Sequence, residues 1–235
     1  VRVIELWRYP VKSMQGERMR SIEVTPLGFV GDRAWGVYDR ASGLVLTARR
    51  EPQLLFASAR YEDGQVLVST SDGDALPTDR ALSDWLGRDV ELRRAGTRSG
   101  GKFEAPEDDF DEDAPWKTWE GPEGTFHDSR RARISIASIT SFGEWDPRRF
   151  RVNVVLDGEG EADWFGAALT VGTATVEVRR HIDRCVVVTR AQPGGIQRDL
   201  DVLKIINKEQ GGIVGIGANV LRPGVVAVGD EVAPI

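Results

Sequence analysis

The chain contains a single cysteine, Cys185, among its 235 residues. One thiol excludes an internal disulfide framework and a zinc site built from several cysteines. It also suits a reducing compartment, so a cytoplasmic location is expected. No run approaches the roughly 18 apolar residues of a membrane-spanning helix, so no membrane span is expected. The opening residues, Val1-Arg2-Val3-Ile4, hold no apolar stretch of the kind a secretion signal carries. No GxGxxG follows a strand-like run. Gly211 to Gly217 is glycine-rich but lacks the Lys and Ser/Thr of a phosphate-binding loop, and it reads as a connecting loop. Basic residues are not in excess either. A net charge of -6 argues against a broad nucleic-acid-binding face, while leaving room for a local basic pocket.

What is present is globular. Hydrophobic residues make up 40% and charged residues 29%, enough to bury a sizeable core. The 26 glycines and 11 prolines cut the chain into short segments, several of which read as strands. These are Arg2 to Trp7, Ala34 to Tyr38 hairpinned to Leu44 to Thr47, and Phe56 to Tyr61 hairpinned to Gln65 to Ser69. Val90 to Arg94, Ala132 to Ala137, Asn153 to Leu156, Leu169 to Val171, Ala174 to Arg179, Cys185 to Thr189 and Val225 to Val232 follow. A short helix is expected at Leu82 to Leu86, capped by Asp79 and stopped by Gly87, and a helical turn at Asp199 to Ile205. Strands dominate without βαβ alternation. The expected fold is mainly β (a β-rich α+β fold) in two β-barrel-like units. One unit is expected over residues 1–95 and the other over 129–235, joined by an acidic and Gly-rich loop over 96–128.

That connector holds seven acids in ten residues, Glu104 to Asp113. Asp109, Asp111, Asp113 and Glu120 match four calcium-ligand positions of an EF-hand, but Ala114 replaces the required glycine and Pro115 follows it. A solvated surface loop near a cleft mouth is expected, able to steer a basic partner.

Cys185 lies in His181-Ile182-Asp183-Arg184-Cys185-Val186-Val187-Val188-Thr189. Beside three valines a free Cys suits a small buried hydrophobe. If the run is a regular strand, His181, Asp183 and Cys185 share a face at about 6–7 Å spacing, too far for a hydrogen-bonded hydrolase triad. The cationic neighbours instead favour thiolate, a soft metal ligand. His127, His181, Trp35 and Trp164 read as structural residues.

Other motifs fall in a fixed order. Tyr9-Pro10-Val11-Lys12-Ser13 with Gly16 comes first, then Leu27-Gly28, Gly31-Asp32-Arg33-Ala34-Trp35, Thr47-Ala48-Arg49 and Glu51-Pro52. Ser135 to Ser138, Arg149-Phe150-Arg151-Val152-Asn153, Asp163-Trp164, Arg184-Cys185 and Val228-Gly229-Asp230 complete the series. Together they span nearly the whole chain. In this order they resemble the MOSC (molybdenum cofactor sulfurase C-terminal) family, preceded by its N-terminal β-barrel domain. The resemblance is to stand-alone bacterial members and to members that reduce amidoximes.

The resemblance implies a molybdenum cofactor, in which the dithiolene of a pyranopterin holds the metal. Cys185 takes the place of the protein thiolate on molybdenum and is the implied catalytic residue. Lys12, Ser13 and Arg33 match positions that hold the pterin and its phosphate, and Arg151 and Asn153 match an Arg-Pro-Asn segment in which Val152 here replaces proline. Ser138 lies in the family's serine-bearing segment. These residue types suit the ligand: Lys and Arg give charge-assisted donors to a phosphate, and Asn both donates and accepts. The implied activity is reduction of small N-hydroxylated compounds, such as amidoximes and hydroxylamines. Electrons would come from a separate donor protein bearing flavin, haem or iron–sulfur. The alternative is a non-redox carrier of sulfur or of the finished cofactor, working through the Cys185 thiol. Either reading expects Cys185 on a solvent-reached cleft, with Lys12, Ser13, Arg33, Arg151 and Asn153 around it.

Overall fold

Alternation of apolar and polar side chains sets the strands. In Ser21–Thr25, Ile22 and Val24 are buried while Ser21 and Glu23 are exposed, the period of two that a half-buried strand requires. The structure is a computed structural model that describes residues 1–97, 100–109 and 113–235. It is mainly β, as expected. One sheet of eight strands dominates. Across it the order is Val232–Pro234, Ala168–Val171, Ala174–Asp183, Ile213–Arg222, Ile134–Ser138, Val154–Leu156, Val3–Arg8 and Glu17–Met19. Its pairings are antiparallel except that of Ile134–Ser138 with Val154–Leu156.

This sheet joins the two ends of the chain. Val3–Arg8 pairs with Val154–Leu156, and Ser21–Thr25 pairs with Gly224–Ala227. Its core accordingly mixes Val3, Leu6, Ile22, Val24 and Phe29 with Ile136, Leu156, Val176 and Ile216. A second core, including Val11, Val37, Leu54, Leu82 and Val90, belongs to the N-terminal half. The units expected from sequence are therefore interleaved: the first 29 residues build against strands from the second half of the chain.

Several local expectations are corrected. Gly211 to Gly217 is a connecting turn only at Gly211 and Gly212, since Ile213–Arg222 is a ten-residue central strand. Its glycines allow close approach: a Cβ on Gly217 would lie 2.6 Å from the Ala132 Cβ, and one on Gly215 would lie 2.7 Å from the Ile136 carbonyl oxygen. Val186–Thr189 is a 3₁₀ turn and not a strand. The Thr189 hydroxyl donates to the Val186 carbonyl at 2.8 Å, which closes the turn on itself. Leu44 to Thr47 returns against Trp35–Asp39 as expected, but only as a single antiparallel bridge, Tyr38 to Val45. The Asp39 N–H donates to the Leu44 carbonyl at 3.0 Å and the Leu46 N–H to the Val37 carbonyl at 2.7 Å, while Val90–Arg94 pairs with the other edge of Trp35–Asp39. Val45 and Leu46 are both buried because the segment is covered on both sides, each facing a different cluster.

The acidic connector is partly structured. Lys102–Pro106 and Trp116–Glu120 form an antiparallel hairpin, so Glu104 is a strand residue. It pairs with Arg50 at 2.8 Å. Phe103 and Phe126 bury this hairpin against Val45. Asp111 and Glu112 of the acidic run lie outside the described residues. Both helices form near their expected places. In Asp79–Leu86 the cap is Thr78, whose hydroxyl accepts from the Ala81 N–H at 3.1 Å, and Gly87 closes it in the left-handed region at φ 63°. Asp201–Gln210 buries Val202, Leu203 and Ile206.

Gly215 combines φ +83° with a neighbouring carbonyl at Cβ distance. Gly215→Ala should therefore lower stability by about 1–3 kcal/mol, the cost of a strained backbone position. Denaturant unfolding at constant slope measures this. A midpoint equal to that of the unsubstituted chain would contradict the left-handed backbone at this residue.

Candidate functional site

A cavity of about 230 Å³ opens between the N-terminal half and the end of the strand Ala174–Asp183. Its wall carries Lys12, Ser13, Arg33, Arg151, Asn153 and Cys185, residues up to 173 positions apart in sequence. Ser138 is not on this wall. It is buried at the end of Ile134–Ser138, so the expectation that it contacts a ligand here is corrected. His181 is also elsewhere, stacked on Phe165 with Nε2 at 3.0 Å from the Ala162 carbonyl. Seven cations line the cavity: Lys12, Arg33, Arg49, Arg149, Arg151, Arg180 and Arg184. Asp128 and Asp183 are the only acids there among the described residues. An acidic chain has thus gathered positive charge in one place.

Backbone strain gathers in the same place. Among the described residues four non-glycines have positive φ, and three of them are Ser13 (70°), Arg33 (46°) and Arg151 (54°). Such conformations persist only where the surroundings enforce them. Ser13 Oγ accepts from the Ala48 N–H at 2.9 Å. Arg33 donates to Asp32 at 2.6 Å and to the Arg151 carbonyl at 3.0 Å. The Arg33 and Arg151 guanidinium carbons lie 4.7 and 4.5 Å from the Tyr9 ring centroid. A tyrosine ring attracts each cation and makes their proximity tolerable. Burial pushes the Tyr9 phenol up to about 12, so the ring stays neutral.

Each charge has an identifiable support. Asp32 is 1% exposed and holds two donors, with a third nitrogen close by. It accepts from the Tyr9 N–H at 2.7 Å and from Arg33, and lies 3.2 Å from His127 Nε2. Burial opposes its charge, but Arg33 and His127 outweigh burial and lower its pKa to about 2. Burial pushes His127 the other way, below its ordinary value. Asp128 lies 3.0 Å from Lys12 Nζ and 3.5 Å from Arg49. Those two cations overcome desolvation and hold its carboxyl well below the usual range. Lys12 sits over the Phe103 ring at 4.6 Å, and burial lowers its pKa against the pull of Asp128.

Two arginines position the thiol by holding backbone. Arg184 donates to the Phe150 carbonyl at 2.7 Å and through Nε to the Val214 carbonyl at 2.9 Å. Arg149 donates to the carbonyls of Val188, Arg190 and Gln197. Cys185 stands between these anchors, half-buried on the wall. Burial lowers Arg184 to about 10, and Cys185 opposes that fall. Burial also opposes the charge of Arg49, but Cys185 and Asp128 reverse it and raise its pKa. Arg49 is thus a cation facing the thiol that the sequence reading did not single out, although its Thr47-Ala48-Arg49 motif was in view. Asp128 carried no signal in the sequence, being one acid among many.

Asn153 works within the fold. Its Oδ1 accepts from the Ser135 N–H and hydroxyl at 3.1 and 2.8 Å, and its Nδ2 donates to the Trp7 carbonyl at 3.1 Å. Val152 is buried beside Phe142 and Phe150, filling core where the resembling motif has proline. Three buried wall atoms have no hydrogen-bond partner: Arg151 Nη1, Thr47 Oγ1 and His127 Nε2, the last being within ion-pair distance of Asp32. A buried donor without an acceptor is costly, and an anionic or oxygen-rich ligand would relieve it. No group of three or more His, Cys, Asp and Glu among the described residues is arranged to hold a metal. A metal here would have to arrive with ligands of its own, adding Cys185 as the protein's contribution. The residues therefore fit a phosphate-bearing, metal-carrying organic cofactor.

Asp32 yields a pH prediction. Its folded pKa, about 2, lies below the ordinary 3.8, so its stabilisation is present above the ordinary value and fades as pH falls toward 2. The shift corresponds to roughly 2 kcal/mol at neutral pH. Asp32→Asn should lose about that much at pH 7, and the gap should close between pH 4 and 2. Urea unfolding across pH tests this. A gap that persists at the acid end would show that Asp32 acts by packing and not by charge.

Two family models match the chain. The MOSC N-terminal beta barrel domain matches residues 1–113, and the MOSC domain matches residues 128–233. Among curated relatives, mitochondrial amidoxime reducing component 2 of Bos taurus is 34% identical over 113 residues, covering 43% of this chain and 33% of the relative. The Homo sapiens protein of that name is 33% identical over 113 residues with the same coverage. The match spans about a third of the length of these relatives. The solved YUAD protein of Bacillus subtilis covers 98% of this chain and 93% of its own at 15% identity, with a TM-score of 0.48. That likeness in shape is too slight to carry an argument.

Proposed function

Since the chain belongs to the MOSC family and carries that family's N-terminal β-barrel domain, we propose that it is a molybdenum-cofactor-dependent oxidoreductase that reduces N-hydroxylated compounds. Amidoximes and hydroxylamines are the substrates meant. The observation that carries the reading is the Cys185 thiol on a cationic wall whose buried Arg151 Nη1 lacks a partner. The partial likeness to amidoxime reducing components supports the reaction class.

In this reading Cys185 is the thiolate ligand to molybdenum. Lys12, Ser13, Arg33 and Arg151 bind the pterin and its phosphate, and Asn153 holds the strand edge beside them. Ser138 has no part in it. When bound, the cofactor supplies two-electron redox chemistry at a metal. The reaction converts R–NHOH, two electrons and two protons into R–NH₂ and water. Arg49 and Arg184 place positive charge beside Cys185 on the cavity wall. The fixed carbonyl cages of Arg149 and Arg184 keep the sulfur in place without reorganisation. Electrons come from a separate donor protein carrying flavin, haem or iron–sulfur.

Expression with cofactor supply, followed by molybdenum and pterin analysis and turnover of benzamidoxime with an artificial donor, tests this. Cys185→Ser should fold normally, since serine is nearly isosteric. It should lose turnover by roughly a hundredfold or more, because outer-shell losses alone cost about 10–100-fold. Retained turnover would remove Cys185 from the metal. Bound molybdenum without any reduction would favour the carrier role instead.

A further inference from the structure

Among the cations of the cavity wall stands a neutral polar side chain, Thr47. It is 2% exposed, and its hydroxyl oxygen is buried without a hydrogen-bond partner. The two other wall atoms in that position are already accounted for. His127 Nε2 has Asp32 at 3.2 Å, and Arg151 Nη1 belongs to a cation that the anionic ligand would meet. A buried hydroxyl without a partner lowers stability, and valine has nearly the same shape without that penalty. A threonine at this point calls for a partner from outside the chain.

The surrounding backbone is fixed. The Thr47 carbonyl accepts from the Arg50 N–H at 3.0 Å and from the Glu51 N–H at 2.8 Å. The next N–H, of Ala48, donates to Ser13 Oγ at 2.9 Å. The turn is thus held from both sides, yet none of these bonds reaches the Thr47 hydroxyl.

The partner's direction of approach is also defined. A second cavity, of about 350 Å³, lies behind the 3₁₀ turn Val186–Thr189, where the Val186 N–H bonds the carboxyl of Asp109. Arg49 borders both cavities, but Thr47 borders only the cationic one. Lys12, Arg33 and Arg151 line that same cavity. A molecule drawn there by cations offers oxygen acceptors, and a hydroxyl meets an anionic oxygen as a donor.

We propose that Thr47 is a further ligand-binding residue of the cationic cavity, its hydroxyl donating to an anionic oxygen of the molecule held there. The identity of that molecule, a pterin bearing a phosphate, rests on the reductase reading, but the hydrogen bond does not. Thr47 lowers the stability of the empty chain and raises its affinity for the ligand.

Two variants test the assignment. Thr47→Val removes the hydroxyl at nearly constant shape, and Thr47→Ser keeps the hydroxyl without the methyl group. Binding of inorganic phosphate to the cofactor-free chain is read by calorimetry, and thermal unfolding of the same samples reads stability. Thr47→Val should weaken phosphate binding about tenfold, the scale of one hydrogen bond to a charged group. Without phosphate it should raise the unfolding midpoint by about 2–4 °C, since an unsatisfied hydroxyl is gone. Thr47→Ser should bind phosphate as the unsubstituted chain does. In chains expressed with cofactor supply, the molybdenum and pterin retained after dilution should fall in Thr47→Val and recover in Thr47→Ser. Phosphate affinity unchanged by Thr47→Val, or no phosphate binding by the unsubstituted chain, overturns the assignment. A midpoint that falls in Thr47→Val overturns it too, because the hydroxyl then has a partner within the fold. Equal weakening by both variants does the same, because the methyl group is then what matters. Hydroxyl-dependent phosphate binding by a chain that takes up no molybdenum upholds Thr47 and overturns the reductase reading.

Discussion

Positive charge crowded onto one wall is the constraint on which the rest of the site depends. Seven cations around about 230 Å³ repel one another, and burial makes Lys12, Arg149, Arg151 and Arg184 less willing to carry their charge. The fold offsets this in three ways. Asp32 and Asp128 sit beside Arg33 and Lys12 as counter-charges. Tyr9 places an aromatic ring against Arg33 and Arg151. Backbone carbonyls take up the guanidinium groups of Arg149 and Arg184. Arg151 is the one left short: burial lowers it to about 10, and its Nη1 has no partner. An anion placed there would lower the repulsion and satisfy the donor together, so the wall is prepared for a ligand with phosphate character.

The sheet makes this convergence possible. Lys12 and Ser13 come just after Val3–Arg8, beyond Tyr9-Pro10-Val11, and the neighbour of that strand in the sheet is Val154–Leu156, directly after Asn153. Asn153 bonds both Ser135 and Trp7, so one carboxamide fastens three separate chain segments at the cavity edge. Separating the N-terminal half from the rest would remove two strands from the sheet and leave the Trp7 carbonyl without this partner. The interleaving of the two halves is thus a condition of the site as well as of stability.

Much of this was legible in the sequence, for physical reasons that differ by element. Short alternating runs such as Gln65–Thr70 declare themselves because one face meets the core and the other meets water. The ordered motifs pointed to Lys12, Arg33, Arg151 and Cys185 because each supplies a charge or thiol that few other residues replace. Ile213–Arg222 was hidden, since its glycines signal a loop while serving close packing of Ala132 and Ile136. The 3₁₀ turn after Cys185 was hidden too. Three valines suggest a strand, but Arg149 reaches across from another segment to the Val188 and Arg190 carbonyls at the end of the turn. Ser138 was misplaced because a serine in a strand can face either side, and this one faces the interior.

The turn itself explains why Cys185 stands alone. Had Cys185 to Thr189 continued the strand, alternate residues would have faced the core and the thiol would have shared a sheet face with His181. Instead the strand ends at Asp183 and Arg184 is locked to Phe150 and Val214. The next residue begins the partition between two cavities. A sulfur at that point can meet a ligand on one side while the following peptide, through the Val186 N–H, touches the carboxyl of the other. Any displacement of the turn moves both walls together. Arg149, which holds the Val188 carbonyl of the turn, is therefore as much part of the site as the thiol, and its loss would disturb both cavities.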